Sequence, residues 1–320
     1  MKPKVLIIIG PTGVGKSELT YQTVPRLFPQ AHIINADSQQ VYKGLDIGTA
    51  KPTKTELALL PHHLFDICTP NQQFSAGDFK KSAQELVTTI SDAGGLPIFL
   101  GGTGFYLRHL LYDYSNPPPS DPQVRAQLEL DCDTYGLSVM RERLHGCDPD
   151  SYQEISPNDK YRVLRALEIY LVSGKPRKHF MSSLKPRSDW DCKLVCLNRS
   201  RQQLYHRINL RVDTMMNQGL LAEIQSLLSA GWTFQDPGLQ AIGYKEFEPL
   251  FSRNESSLSI HNQNEFDGHL LQRVIEQIKQ HTRNYAKRQL TFFRGFQEAI
   301  WLENPDQESL PHTLNDWLKG

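Results

Sequence analysis

No apolar stretch in the chain approaches the roughly 20 residues that a bilayer-spanning helix requires, which excludes a helical integral membrane protein. Cysteine is scarce as well. The five present (Cys68, Cys132, Cys147, Cys192, Cys196) are odd in number, scattered, and never arranged as CxxC. A disulfide scaffold is therefore not expected; reduced core thiols in a cytoplasmic protein are. Net charge is zero, with 35 Lys and Arg against 35 Asp and Glu. The balance is uneven along the chain. Residues 158–178, 199–213 and 270–294 are locally basic, which points to a polyanion site on one part of the surface or to solvated helix faces balanced elsewhere. Internal repeats and coiled-coil heptads are missing. The opening MKPKVLIII carries too short an apolar run for a secretory signal and leads straight into a glycine-rich loop, so secretion is not expected.

What is present begins with that loop. Residues 10–17 read GPTGVGKS and follow the aliphatic run Val5-Leu6-Ile7-Ile8-Ile9. A buried strand, a glycine-rich loop, and Lys-Ser opening a helix is the P-loop pattern GxxxxGK[ST]. Gly10, Pro11, Thr12, Gly13, Val14 and Gly15 supply backbone that curls around phosphate oxygens. The following helix aims its positive end at the same place. Lys16 is expected to neutralise phosphate and Ser17 to hold Mg²⁺. The motif specifies a diphosphate or triphosphate ligand without naming the compound.

Strand and helix signals alternate from there. Residues 5–9, 32–36 and 97–100 read as strands, and 16–27 and 75–92 as helices, the latter with Phe79, Ala83, Leu86 and Ile90 at helical spacing. This predicts an α/β fold: a P-loop NTPase-like parallel sheet flanked by helices. Pro117-Pro118-Pro119 interrupts it. Residues 120–180 look purely helical, with Leu164, Leu167 and Leu171 on one stripe of a helix over 159–173. Residues 193–197 return to strand, and long helices follow over 200–230 and 270–294. Residues 252–269 read as a polar, turn-rich mobile loop. The expected organisation is a core of 1–118 and 188–320 with a helical insertion domain at 119–187.

Asp37-Ser38 ends the second strand, where open α/β sheets line their ligand crevice. Asp37 reads as a general base, as a group behind the magnesium, or as a plain turn residue. Gly101-Gly102-Thr103-Gly104 repeats the strand–glycine logic, and Thr103 would aim a hydroxyl into the crevice. His62-His63 near Asp66 lacks a third metal ligand at suitable spacing. At this level a small-molecule kinase, with Asp37 activating a hydroxyl, stands beside a non-catalytic RNA-binding or nucleotide-switch protein.

Further motifs narrow the field. They are DSQQVY at 37–42, LDIGTAKP at 45–52, HHL at 62–64 with Asp66, GGTGFY at 101–106, Asn158-Asp159…Arg162…Arg165-Ala166-Leu167-Glu168, Ile242-Gly243-Tyr244-Lys245, and AKRQLT at 286–291. In this order they resemble the tRNA dimethylallyltransferases (tRNA isopentenyltransferases) across about 5–303. The resemblance implies transfer of a dimethylallyl group from dimethylallyl diphosphate to N6 of adenosine 37 in tRNAs that read codons beginning with U, without consumption of ATP. The P-loop and Mg²⁺ would then hold the donor's diphosphate. Asp37 would accept the amine proton, Thr103 would line the substrate channel, and Arg211 would stand near the diphosphate. The anticodon loop would be met by Asp37, Ser38, Gln39, Gln40, Thr103 and Arg125, by Tyr161, Arg162, Val163, Leu164 and Arg165, by Gln240, Ala241, Ile242, Gly243, Tyr244 and Lys245, and by Arg283, Lys287 and Arg288. Departures from the family's usual residues at Gln39, Tyr161 and Gln240 bear on tRNA affinity and leave the chemistry in place. The resemblance further implies a bacterial-type enzyme without a zinc-finger extension, acting in the cytoplasm as a monomer and without a membrane partner.

Overall fold

The computed structural model describes residues 2–112, 117–180, 186–252 and 268–319. In chain order the elements are β1 (Lys4–Ile9), α1 (Lys16–Leu27), β2 (Ala31–Asn35), α2 (Lys54–Leu57), β3 (His62–His63), α3 (Ala76–Asp92), β4 (Leu96–Gly101) and α4 (Gly104–Leu111). Then come α5 (Pro122–Tyr135), α6 (Leu137–Cys147), α7 (Pro149–Glu154), α8 (Lys160–Ser173), β5 (Asp191–Asn198), α9 (Arg201–Asn217) and α10 (Leu220–Ser229). The last are α11 (Glu248–Ser252), α12 (Gly268–Phe293), β6 (Ile300–Glu303) and α13 (Ser309–Lys319). Two compact units result, Met1–Arg108 with Ser188–Gly320, and His109–Arg187.

The first unit is built on a parallel sheet ordered β3-β2-β4-β1-β5-β6 among the described residues. Strands buried on both faces must be apolar throughout, and Val5 to Ile9 are completely buried. Pairing of Ile8 with Leu100 on one side and Val195 on the other places β1 at the centre. Because every strand runs the same way, the loops after β1, β2, β4 and β5 all leave from one edge. That edge is where such sheets bind ligands.

Helices cover both faces. Leu19 and Val24 of α1 pack on Leu6, Ile8, Ile33 and Leu100. α3 opens with a capping box between Ser75 and Asp78 and buries Phe79, Ala83, Val87 and Ile90; Val87 takes the inward position, and Leu86 is only half-buried. A separate core joins Val212 and Met215 of α9, Leu220 and Ile224 of α10, and Val274 and Ile278 of α12.

The single helix expected over 200–230 is two. Gly219 adopts φ 98 between α9 and α10, a left-handed conformation that glycine enters without steric cost. The edge strand β6 and the two-residue β3 were not expected: both are short, and neither alternates cleanly. The stretch expected to be a polar loop over 252–269 falls largely on 253–267, outside the described residues.

The second unit is helical. Leu128 and Cys132 of α5, Met140 and Leu144 of α6, and Val163, Leu164 and Leu167 of α8 form its core. Gly174 ends α8 in the left-handed conformation. Leu171, expected on the inner stripe, is 61% exposed, and the buried part of α8 ends at Ile169.

Candidate active site at the carboxyl ends of the strands

The loop after β1 takes the shape its glycines permit. Gly13 has φ 80, and a Cβ there would lie 2.8 Å from Ile208 Cγ1. Gly15 is the N-cap of α1 at φ 100 and offers no side-chain cap. The first-turn N–H groups of α1 therefore lack the usual internal partner and point into the crevice. Two arginines brace the loop from behind: Arg199 Nε donates to the Val14 carbonyl at 2.8 Å and Arg207 Nε to that of Gly13 at 2.9 Å.

Lys16 folds back over the loop and donates from Nζ to the carbonyls of Gly10 at 2.9 Å and Pro11 at 3.2 Å. Burial pulls its pKa down to about 8; the Asp37 carboxylate opposes that fall and the Arg211 guanidinium adds to it. Arg211, from α9, donates to Thr12 Oγ1 at 3.2 Å and to the Thr49 carbonyl at 3.5 Å. Burial also lowers the Arg211 pKa, and Asp37 again works the other way. Lys16, Arg211 and Asp37 thus form one interacting charge cluster, two cations against one carboxylate. The surplus positive charge suits a polyanion.

Asp37 stands in the turn after β2. Asn35, buried at the strand end, accepts from the Asp37 N–H at 2.8 Å through Oδ1 and donates from Nδ2 to the carbonyls of Asp37 at 3.0 Å and Leu64 at 2.9 Å. Asp37 Oδ1 accepts from the Gln39 N–H at 2.9 Å, so the residue does shape a turn, as its residue type allows. Thr103 Oγ1 accepts from the Ser38 N–H at 2.9 Å and donates to Ser38 Oγ at 3.3 Å. Thr103 thereby joins the loop after β4 to the Asp37 turn. Gly101 makes that approach possible, since a Cβ there would stand 2.2 Å from the Ala36 carbonyl.

Gln40 Nε2 donates to the Thr49 and Ala50 carbonyls, each at 3.0 Å. The same segment is held by Glu223, whose carboxylate accepts from the N–H groups of Asp46, Ile47 and Gly48 and from the Tyr244 hydroxyl. Glu223, Arg199 and Arg207 leave no signal in the sequence pattern because each holds backbone 175 or more residues away, and Asn35 shows only as a polar residue at a strand end beside Asp37.

The residues assigned to RNA divide by exposure. On α12, Lys287 and Arg288 are exposed. Arg283 is half-buried and donates to Asn209 Oδ1 at 2.6 Å, so it is committed within the unit. Gln240 and Lys245 are exposed, and Gln240 Nε2 donates to the Phe234 carbonyl. Ala241 and Tyr244 are buried among core residues, so their side chains pack within the unit and only their backbone is left to face a ligand. Gly243 is likewise buried, and Ile242 is partly buried against the same core. In the second unit, Tyr161 is 67% exposed and carries the Arg125 guanidinium 5.1 Å from its ring centre. Arg162 is exposed and pairs with Asp159 at 3.1 Å. Arg165 pairs with the buried Glu168 at 2.9 Å. Val163 and Leu164 are completely buried, and their side chains pack in the helical core.

A parallel sheet with a glycine-rich loop after its central strand and charged groups at neighbouring strand ends has the architecture of α/β enzymes that bind phosphate compounds. The IPP transferase family model matches residues 40–296. A tRNA dimethylallyltransferase of Staphylococcus carnosus is 39% identical over 323 residues, covering 98% of this chain and 95% of its own. One from Anoxybacillus flavithermus is 40% identical over 321 residues, covering 99% and 96%. Among solved structures, a tRNA isopentenylpyrophosphate transferase of Staphylococcus epidermidis superposes with TM-score 0.67 at 36% identity, covering 99% of each chain. A eukaryotic dimethylallyltransferase acting on tRNA gives TM-score 0.78 at 28% identity over 99% of this chain and 79% of its own. The chain belongs to the IPP transferase family.

Proposed function

We propose that this enzyme transfers the dimethylallyl group of dimethylallyl diphosphate to N6 of adenosine 37 in tRNAs reading codons that begin with U, releasing diphosphate. The observation that carries the reading is the shared charge cluster of Lys16, Arg211 and Asp37: a polyanion cradle beside a carboxylate, at one edge of one sheet. In the transfer a C–N bond forms between the adenine N6 and the allylic carbon. The C–O bond to diphosphate breaks, and the N6 proton must leave. Lys16, Arg211 and the first-turn amides of α1 would gather the charge on the departing diphosphate. Asp37 would take the proton, a role worth about 10²–10⁴ in rate. Thr103 would act as a positioning residue, holding the Ser38 end of the Asp37 turn. The adenine must swing out of its stack, at a cost of a few kcal/mol.

Magnesium fits the donor set of this site. Ser17, an exposed residue in the first turn of α1, carries a hydroxyl, and Mg²⁺ characteristically binds through phosphate oxygens and water with few protein ligands. When bound it would supply Lewis-acid stabilisation of the diphosphate.

Lys16 gives this reading a pH signature. Only its ammonium form pairs with diphosphate, and its pKa is about 8 in the free site. Binding above that pH must draw a proton from solution, so the Kd for the donor rises by up to about tenfold per pH unit. Calorimetry with the unreactive dimethylallyl thiolodiphosphate between about pH 7 and 9.5 checks this; a flat profile contradicts it.

On the RNA side, Lys287→Ala and Arg288→Ala are each expected to weaken tRNA binding and to reduce the salt slope by about 0.7–0.9. Binding isotherms at several salt concentrations read the slope, and an unchanged value would place the RNA elsewhere. The choice of nucleoside is tested by offering unmodified transcripts with different anticodons, then digesting them and locating the added mass. Modification outside the position 3′ of the anticodon would refute the assignment to adenosine 37.

A further inference from the structure

Gln289 lies on α12 at 5% exposure with both ends of its amide engaged. Its Oε1 accepts from the Thr12 N–H at 2.9 Å, and its Nε2 donates to the Gly102 carbonyl at 2.8 Å. One side chain thus ties the P-loop to the glycine loop after β4. The fit is close: a Cβ on Gly102 would stand 2.5 Å from Gln289 Nε2. Thr12 is held from its other side by Arg211, through Thr12 Oγ1. Tyr285, one turn earlier on α12, is half-buried beside Thr103 and Gln289.

A loop this rich in glycine has many conformations to lose when it closes on a ligand. Fixing one of its peptide planes in advance lowers that cost and raises affinity without any contact to the ligand. Leaving the Thr12 N–H or the Gly102 carbonyl unpaired in the interior would cost free energy, so the bridge holds both loops in place.

We infer that Gln289, supported by Tyr285, is a positioning residue for the diphosphate of the prenyl donor, setting the Thr12 peptide and with it the amides that follow. This rests on the P-loop being the donor site. The helix that does so also bears Lys287 and Arg288 on its exposed face, so the element expected to meet RNA is the one that shapes the donor cradle.

The test uses the full-length Gln289→Met and Tyr285→Phe chains. Gln289→Met keeps side-chain length and loses both hydrogen bonds. It should raise the donor KM and the Kd for dimethylallyl thiolodiphosphate about tenfold, while the tRNA KM changes less than about twofold. Hydrogen exchange should show residues 10–17 losing protection and the rest of the sheet keeping it. Tyr285→Phe should shift the same quantities in the same direction by a smaller factor. Gln289→Met with wild-type donor KM and P-loop protection overturns the inference, as does a parallel rise in both KM values, which would mark a packing role. If Gln289→Met fails to fold, Tyr285→Phe decides: a wild-type donor KM there overturns the inference too. Failure of the underlying reading looks different. The wild-type chain would then ignore the thiolodiphosphate, while residues 10–17 would still lose protection in Gln289→Met.

Discussion

Asp37→Asn is expected to slow prenyl transfer by about 10²–10⁴ while tRNA affinity stays close to that of the wild type. The size follows from the role: an amide cannot accept the N6 proton. The selectivity follows from the structure. Asn keeps the acceptor that Asp37 offers to the Gln39 N–H, and its backbone remains fixed by Asn35, so the turn survives the exchange. A second effect accompanies the first. Asp37 holds the Lys16 pKa up, so without its charge Lys16 deprotonates at lower pH. The alkaline limb of donor binding should move down with it. Single-turnover rates and a pH series of donor Kd read the two effects separately. Substantial residual turnover would reduce Asp37 to a positioning role.

Arg211→Ala is expected to lower kcat by about 10²–10³, the usual loss when one preorganised stabiliser of developing negative charge is removed. Arg211 contacts both Thr12 and Thr49. A lysine has a single ammonium and cannot reproduce that fork, so Arg211→Lys should rescue little. The pH signature runs opposite to that of Asp37→Asn. Arg211 depresses the Lys16 pKa, so its removal lets Lys16 stay protonated to higher pH and moves the alkaline limb up. Steady-state kinetics across pH distinguishes the pair; limbs that moved together would show that the three groups do not share one electrostatic site.

Much of this architecture was legible in the sequence, and the reason is physical. Strands buried on both faces must be apolar end to end, as in residues 5–9, and a phosphate cradle requires glycine, so both leave local patterns. Lys16 follows the loop that leaves β1 and Asp37 the end of β2, on the edge of the sheet where such folds place their ligands. The break at Gly219 was missed because apolar spacing resumes across it, as Met215 and Leu220 are both buried. Strand β6 was missed because Ile300, Trp301 and Leu302 are only half-buried at a sheet edge. Val163, Leu164, Ala241 and Tyr244 lie in motifs shared with the family, yet the structure spends their side chains on packing. Gln289 shows the opposite failure. Its motif was recognised for its basic residues, while its own partner Thr12 lies 277 residues away, a distance over which no spacing rule operates.

In the proposed reaction the P-loop holds the leaving group of a prenyl donor rather than a nucleotide. A single-turnover reaction tests it most directly, with radiolabelled dimethylallyl diphosphate, an unmodified anticodon stem-loop, Mg²⁺ and no nucleoside triphosphate. The expected result is one label on the adenine N6 and one diphosphate released per active site. Transfer that required ATP, or ATP turnover with no label in the RNA, would contradict it.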